Sequence, residues 1–259
     1  MRAIVTGAAR GIGRAICLRL ARDAAESGGV KLVVSDQRAD DLDVVVAEIR
    51  SIGGQAIAIA GDISDPSLPA RIVESSLAYG GLDALVSNAG FSIAGALATY
   101  EVENWDKAFA VHVRAPWLLA KAAYPALKAS GGAIVVTASI SGTNAQAPLG
   151  PYSSSKAAAL MLVRQLANEW GPDGIRVNAV SPGLTLTPGT AAAYSNPSAM
   201  AQREARVPLR RIAQAEDMAG VVAFLLSKDA GYIHGVDLLV DGGLSNTVMG
   251  ALDMSGWRK

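Results

Sequence analysis

Short runs of apolar residues alternate along the chain with longer stretches of helical character. The apolar runs are continuous and do not alternate with polar residues, which is typical of strands buried on both faces of a parallel sheet. Seven such runs predict strands at 3–6, 31–36, 55–60, 82–87, 133–138, 175–180 and 236–241.

Helical stretches rich in alanine and leucine separate these strands. Regular alternation of strand and helix favours an α/β fold, a doubly wound (Rossmann-like) parallel sheet of about seven strands, with right-handed crossovers and helices on both faces. The predicted helices are 12–27, 40–52, 66–79, 101–128, 153–170 and 215–227.

Nothing in the composition divides the chain, so we expect a single domain over 1–259. The least regular segment is 182–206, which is rich in Pro, Ala, Ser and Gly. A loop of this length in one domain is usually functional, and it is interpreted as a substrate flap. Residues 244–259 are expected to form a C-terminal tail that either closes a neighbouring subunit's pocket or frays.

Charge and cysteine content exclude several classes of function. Lys+Arg and Asp+Glu both number 23, so no overall field attracts nucleic acid or an anionic membrane. The single cysteine, Cys17, excludes an intrachain disulfide, and the distant His112 and His234 do not predict a metal site. With no signal peptide and no apolar run of about 18 residues, we expect a cytoplasmic protein without nucleic-acid or membrane partners.

Three glycines follow the first predicted strand directly and precede the first predicted helix, in the stretch "TGAARGIG". Glycines at this place let the backbone turn sharply and approach a pyrophosphate, which then lies at the positive end of the helix. The stretch therefore predicts a dinucleotide site formed by Thr6, Gly7, Arg10, Gly11, Ile12 and Gly13.

Two tyrosines stand four positions ahead of a lysine, Tyr124 before Lys128 and Tyr152 before Lys156. On a helix this spacing puts both side chains on one face. To exchange a proton near pH 7, a phenol with a pKa of about 10 must be shifted by about three units, or ~4 kcal/mol, and a nearby ammonium can supply part of this. The spacing alone does not choose between the two pairs.

The remaining motifs favour Tyr152 and Lys156 as the catalytic pair, because together with this pair they resemble the short-chain dehydrogenase/reductase family. Six motifs occur in the family's order along the chain. They are the T-G-x-x-x-G-x-G loop, "SNAG" at 87–90, Ser139 thirteen residues before Tyr152, the Tyr-x-x-x-Lys pair, "PGLTLT" at 182–187 and "VDGG" at 240–243. The resemblance implies hydride transfer between a nicotinamide and a secondary alcohol or ketone. Tyr152 would be the general acid/base, Lys156 would bind the nicotinamide ribose, and Ser139 would polarise the substrate oxygen. Tyr124 belongs to no motif and is expected to be a packing or surface residue.

His112 departs from the family pattern, which has an asparagine at this place in the long helix after "SNAG". The asparagine's backbone carbonyl holds a water that reaches the lysine, so the resemblance implies a modified relay. We expect retained activity with an altered pH profile. Two alternatives stay open: His112 is only a packing residue, or the relay is lost and the protein is a catalytically silent regulator that binds the cofactor.

Cofactor choice depends on charges around the end of the second strand. Asp36 stands where a carboxylate accepts both adenosine ribose hydroxyls and repels a 2′-phosphate, which favours NAD. Arg10 and Arg38 favour NADP, which is the less favoured choice. The resemblance extends the cofactor-binding set beyond the glycine loop to Asp36, Asp62, Ile63, Asn88, Ala89, Gly90, Tyr152, Lys156, Pro182, Gly183, Thr185 and Thr187.

The expected substrate pocket is mainly apolar, with a few amide groups and no cation for a carboxylate or phosphate. The resemblance assigns to it Ser139, Ile93, Asn144, Gln146, Leu149 and Leu184. A secondary alcohol or ketone of modest size, including a cyclic or aryl one, fits this set, and a sugar stays open as an alternative. The alternative is an NADP-dependent 3-oxoacyl thioester reductase, in which Arg203, Arg206, Arg210 and Arg211 face an acidic carrier. The resemblance also implies a homotetramer or homodimer that packs through 101–128 and 153–170.

Overall fold

A parallel sheet of seven strands forms the centre of the computed structural model, which describes residues 1–247. The strand order is β3-β2-β1-β4-β5-β6-β9, and a separate short pair, β7 and β8, lies outside it. The strands are β1 Arg2–Thr6, β2 Lys31–Asp36, β3 Gln55–Ala60, β4 Ala84–Ser87, β5 Ala133–Thr137, β6 Arg176–Pro182, β7 Thr185–Leu186, β8 Ala213–Gln214 and β9 Asp237–Val240. The seven-stranded doubly wound sheet predicted from the sequence is confirmed.

The helices are α1 Gly11–Asp23, α2 Ala39–Ser51, α3 Leu68–Leu77, α4 Val102–Phe109, α5 Ala115–Ser130, α6 Tyr152–Trp170, α7 Pro197–Arg206 and α8 Ala215–Leu226. None of the helices in residues 1–247 is both long and apolar enough to cross a bilayer. Most of the predicted tail, 248–259, lies outside the described residues.

Two hydrophobic layers cover the sheet, one on each face. Adjacent residues of β1 show the division, since Val5 packs into the layer with α1, α2 and α8, whereas Ile4 packs into the layer with α3, α5 and α6. Both side chains are fully buried. Burial of such a side chain contributes ~1.5–3 kcal/mol, so both faces of the strand must be apolar. This is why the strands lack an alternating pattern.

The long helix predicted at 101–128 is interrupted. Between α4 and α5, Ala110–Arg114 form a wider turn, in which the N–H of Ala115 donates to the carbonyl of Ala110 five residues back. Such turns are rare and are frequently found at functional sites. The turn carries His112.

The expectation that 182–206 is a loop throughout is wrong. The segment begins with the end of β6, contains β7, and ends with α7. The side chain of Asn196 caps α7, because its oxygen accepts hydrogen bonds from the N–H groups of Ser198 at 3.0 Å and Ala199 at 3.2 Å. Pro197 follows at the first helical position, where a missing N–H costs nothing.

Candidate active site

The glycine loop joins β1 to α1 at the carboxyl edge of the sheet. Gly7 and Gly11 have φ angles of +63° and +55°, and a Cβ on Gly13 would lie 2.0 Å from the carbonyl oxygen of Gly7. Helix α1 has no side-chain cap and no acidic residue in its first turn. Its free N–H groups and positive dipole end therefore fit an anionic group such as a pyrophosphate.

Thr6 and Asn88 hold the glycine loop against the end of β4. The Thr6 hydroxyl accepts hydrogen bonds from the N–H groups of Asn88 at 3.1 Å and Ala89 at 3.2 Å. The Asn88 amide donates to the carbonyls of Thr6 and Gly7 and accepts from the Thr137 hydroxyl at 3.1 Å. These side chains, both predicted to contact the cofactor, are thus engaged within the protein, where they join β1, β4 and β5.

Asp36 ends β2 beside the glycine loop. One carboxylate oxygen accepts the N–H of Ala9 and the other accepts the N–H of Arg38, both at 3.2 Å. The Arg38 guanidinium lies 3.8 Å from the carboxylate of Asp41. The exposed side chain of Arg10 has no ion pair or hydrogen bond within residues 1–247. The carboxylate of Asp36 is therefore fixed by backbone, while the two arginines are held less firmly.

Asp62, predicted to contact the adenine, forms the turn after β3. Its carboxylate accepts hydrogen bonds from the N–H and hydroxyl of Ser64 at 2.9 and 2.8 Å and lies 3.4 Å from the ammonium of Lys107. The hydrogen bonds from Ser64 are the main cause of its lowered pKa. Ile63 is partly buried against the core.

The segment after β6 leads from the sheet to the glycine loop. The Thr185 hydroxyl is buried and donates to the carbonyl of Gly183 at 3.1 Å. The hydroxyls of Thr187 and Thr190 are 3.1 Å apart. A Cβ on Gly11 would lie 3.3 Å from the Cβ of Thr187, so this threonine borders the glycine loop. Pro182, also in the predicted set, is the last residue of β6.

Ser139, Tyr152 and Lys156 come together at the carboxyl end of β5 and the start of α6. The Lys156 ammonium is buried, donates to the carbonyl of Thr137 at 2.8 Å and lies 5.8 Å from the centroid of the Tyr152 ring. The Ser139 hydroxyl accepts the N–H of Ser141 at 3.1 Å. The structure thus assembles the three residues predicted to be catalytic.

The protonation of this group follows from its burial. Burial raises the pKa of Tyr152 above its usual value, and the hydroxyl of Ser139 opposes that rise. Burial lowers the pKa of Lys156 to about 8. At neutral pH the phenol therefore carries its proton and the ammonium its charge.

His112 lies beside this group, 2% exposed. Its Nδ1 is 2.8 Å from the hydroxyl of Ser155, and its Nε2 accepts the N–H of Phe91 at 3.2 Å. Burial, followed by the charge of Lys156, lowers the pKa of His112 to about 3. The imidazole is therefore neutral throughout the physiological range.

A shallow, narrow cleft with no room for a water molecule lies beside Tyr152. Of the predicted substrate residues, Ile93 and Leu149 line it together with Phe91. Tyr100 and Pro151 also line the cleft and were not predicted. The described residues around the cleft include none that is charged at neutral pH.

Three predicted substrate residues lie elsewhere. Leu184 borders a separate cavity of about 180 Å³ together with Val207. The Asn144 amide donates to the carbonyl of Ile140 at 3.2 Å, and the Gln146 side chain accepts from the Ser141 hydroxyl at 2.8 Å. The structure does not bring these three side chains into the cleft beside Tyr152, because local hydrogen bonds or the position of β7 hold them away.

The other tyrosine–lysine pair has a structural role. The hydroxyl of Tyr124 donates to the carboxylate of Asp173 at 2.6 Å, and the ammonium of Lys128 lies 2.7 Å from the same carboxylate. The Tyr124 ring packs against that of Trp170, with centroids 4.9 Å apart. The expectation that Tyr124 is a packing residue is confirmed.

Comparison with known proteins agrees with this arrangement. Residues 7–245 match the family model described as enoyl-(acyl carrier protein) reductase. Dehydrogenase/reductase SDR family member 4 of Bos taurus is 36% identical over 244 residues, which cover 93% of this chain and 86% of the relative. Human dehydrogenase/reductase SDR family member 2, a mitochondrial protein, is 36% identical over 243 residues, covering 93% and 85%.

Solved structures show the same similarity. A short-chain dehydrogenase from Burkholderia cenocepacia J2315, in complex with NADP, is 36% identical with a TM-score of 0.85, covering 94% of this chain and 97% of that one. Levodione reductase is 28% identical with a TM-score of 0.87 and the same coverage. This chain therefore belongs to the short-chain dehydrogenase/reductase family, whose members are NAD(P)-dependent enzymes that act on CH–OH or carbonyl groups.

Proposed function

We propose that this enzyme transfers a hydride between NAD(H) and a secondary alcohol or ketone of modest size, with Tyr152 as general acid/base. The observation that carries this proposal is the assembly of Tyr152, Lys156 and Ser139 at the carboxyl edge of the sheet. The uncapped start of α1 lies at the same edge, where a cofactor of this kind binds in doubly wound folds.

A bound nicotinamide supplies the hydride donor or acceptor and, when oxidised, a positive charge. In the direction of reduction, the hydroxyl of Tyr152 gives its proton to the carbonyl oxygen of the substrate; in oxidation it takes that proton back. The Ser139 hydroxyl donates a hydrogen bond to the same oxygen and so orients it. The roles of these side chains rest on their positions and on family membership.

Lys156 stabilises the phenolate that remains after the proton has left Tyr152. Lowering a phenol pKa from about 10 to about 7 requires ~4 kcal/mol of preferential stabilisation of the anion. At the 5.8 Å between the Lys156 ammonium and the Tyr152 ring centroid, a unit charge contributes about 3 kcal/mol at an effective dielectric constant of 20, before screening. Because burial lowers the pKa of Lys156 to about 8, this contribution declines above that pH.

Asp36 supports NAD as the cofactor. Two backbone N–H groups fix its carboxylate at the end of β2. At that place it would accept the adenosine ribose hydroxyls and repel a 2′-phosphate. The Arg38 guanidinium faces Asp41 instead. NADP is the less favoured choice, and its presence in the Burkholderia cenocepacia relative shows that the family also uses it.

An uncharged substrate fits the cleft best. Phe91, Ile93 and Leu149 give it apolar walls, and Tyr100 and Tyr152 give it hydroxyls. The apolar lining favours an uncharged ketone, cyclic or aryl, over a free carboxylate, which would find no cation among the described residues that line the cleft. We propose that 182–206 covers the bound substrate.

A 3-oxoacyl thioester reductase using NADP is the second candidate; the matching family model is described as an acyl-carrier-protein reductase of a different group, an enoyl group. This candidate needs free arginines to face an acidic carrier. Arg203 instead donates to the carbonyl of Ala193 and lies over the ring of Tyr194. Arg210 donates to the carbonyl of Ala205. Arg211 forms an ion pair with Asp217. Since three of the four arginines are engaged, we place this candidate second. A silent regulator, the third interpretation, is disfavoured by the complete set of Ser139, Tyr152 and Lys156.

We also propose a homotetramer or homodimer that packs through α5 and α6. Trp117 on α5 and Met161 on α6 expose 43% and 57% of their surface, and packing through these helices would bury both side chains. We propose the cytoplasm as the location, because a chain with one cysteine, Cys17, suits a reducing compartment.

The test is NADH and NADPH oxidation, followed separately with aliphatic, alicyclic and aryl ketones and with a 3-oxoacyl thioester. We expect turnover of uncharged ketones with NADH. Turnover of the thioester with NADPH alone would support the 3-oxoacyl thioester reductase. Absence of turnover with every substrate would support a catalytically silent regulator.

A further inference from the structure

We propose that His112 is a positioning residue that joins the apolar wall of the cleft to helix α6, which carries Tyr152 and Lys156. One ring nitrogen binds the wall and the other binds the helix. Its Nε2 holds the loop that begins at Phe91, and its Nδ1 holds the first turn of α6 through Ser155. The inference rests on the proposed function, because the wall in question lines the cleft over Tyr152.

The hydrogen-bond partners determine the tautomer of His112. The backbone N–H of Phe91 can only donate, so the Nε2 that accepts it at 3.2 Å carries no proton. The proton is then on Nδ1, which donates to the hydroxyl of Ser155 at 2.8 Å. The Ser155 hydroxyl in turn donates to the carbonyl of Tyr152 at 2.8 Å, so every donor in this chain has its acceptor.

The ring of His112 also lies between two aromatic rings of the site. Its centroid is 5.4 Å from that of Phe91 and 5.6 Å from that of Tyr152, which it meets edge to face. The backbone approaches closely here, because a Cβ on Gly90 would lie 3.5 Å from Nε2 and 3.6 Å from the ammonium of Lys156. A shift of the ring would therefore move both the cleft wall and the catalytic tyrosine.

A charged His112 is incompatible with this arrangement. Protonation of Nε2 would remove the acceptor for Phe91 and place a second cation near Lys156 in a buried site. The lowered pKa of His112 agrees with this geometry. In this proposal the His112 side chain acts by position, and the pH profile follows the other groups of the site, Tyr152 and Lys156. The modified relay through the backbone carbonyl of His112 stays a prediction.

The two nitrogens can be tested separately with amide side chains. The amide nitrogen of His112→Asn lies near the place of Nδ1 and keeps a donor for Ser155, but it loses the acceptor for Phe91. The amide oxygen of His112→Gln reaches the place of Nε2 and keeps that acceptor, but the donor to Ser155 is lost. Each variant thus removes one hydrogen bond of the pair.

We expect opposite kinetic changes in the two variants. His112→Asn should raise KM for the ketone roughly three- to tenfold with a smaller change in kcat, as expected for one lost hydrogen bond at the cleft wall. His112→Gln should lower kcat by a similar factor with a smaller change in KM. NADH affinity, measured by fluorescence, should stay constant in both. Equal changes of KM and kcat in both variants would overturn the proposal.

A spectroscopic test measures the tautomer of His112 directly and needs no turnover. Its result therefore does not depend on whether the proposed function is correct. His234, the other histidine, accepts the N–H of Val177 on Nδ1 at 3.2 Å and lies with Nε2 2.8 Å from the carbonyl of Ala167. It must carry its proton on Nε2, the opposite tautomer. In a spectrum of ¹⁵N-histidine-labelled enzyme at pH 7.5, we expect one histidine of each tautomer. Two histidines with Nε2–H, or a His112 signal that titrates near pH 6.5, would overturn the proposal.

Discussion

Acidification should destabilise this enzyme through His112. Its pKa is about 3 in the folded protein and about 6.5 in an unfolded chain. Between these two values the unfolded state binds more protons than the folded state, so the free energy of unfolding falls as pH falls. At pH 5 the loss is about 1.5 pH units times 1.36 kcal/mol, or about 2 kcal/mol, relative to pH 7.5.

The assay is urea or thermal unfolding, followed by circular dichroism from pH 7.5 to 5.0, for the wild type and His112→Gln. Protein concentration must be held fixed, because an oligomer gains stability with concentration. His234 and the acidic side chains are common to both proteins, so their contributions cancel in the difference. The stability advantage of the wild type should shrink by about 2 kcal/mol, which corresponds to a Tm change of roughly 4–8 °C. Parallel curves would show that His112 titrates alike in both states and would refute the reasoning.

Three further substitutions test other parts of the site. Asp36→Ser removes the carboxylate that would repel a 2′-phosphate, so the kcat/KM ratio of NADPH to NADH should rise by roughly tenfold or more; an unchanged ratio would contradict the assignment of NAD. Gly13→Ala places a Cβ 2.0 Å from the carbonyl oxygen of Gly7, so NADH binding measured by calorimetry should be lost, and wild-type affinity would exclude the proposed cradle. Asn88→Ala removes three hydrogen bonds and should lower the free energy of unfolding by about 3 kcal/mol, measured in urea; a change below ~0.5 kcal/mol would show that they contribute little.

The sheet could be predicted from the sequence because its physical cause is local. Ile4 and Val5 point to opposite faces, and both are buried by helices, so each strand must be apolar at every position. The glycine loop was equally predictable, because the contact of Gly13 with Gly7 forbids any side chain. Ser139, Tyr152 and Lys156 were placed by their order in the family's motifs, and the structure brings them together.

Other features depend on contacts that are distant in the sequence. Ala110–Arg114 include no glycine or proline that would mark a break, and the wider turn there packs against α6 through His112 and Ser155. Tyr100 joins the cleft because the loop after β4 pairs with the loop before α6, where Gly95 bridges Leu149. The sequence analysis missed the start of α7 at Pro197, because the Pro, Ser and Ala content of the segment favoured a loop.

The central claim is that Tyr152 transfers the proton, and Tyr152→Phe tests it most directly. NADH-dependent ketone reduction should be measured together with the NADH dissociation constant, with Tyr124→Phe as the matched control from the other tyrosine–lysine pair. We predict a loss in kcat of roughly 10²–10⁴-fold for Tyr152→Phe, with NADH still bound, and a wild-type rate for Tyr124→Phe. A Tyr152→Phe enzyme that keeps its rate within about tenfold would contradict the account, because general acid/base catalysis contributes at least ~10²-fold.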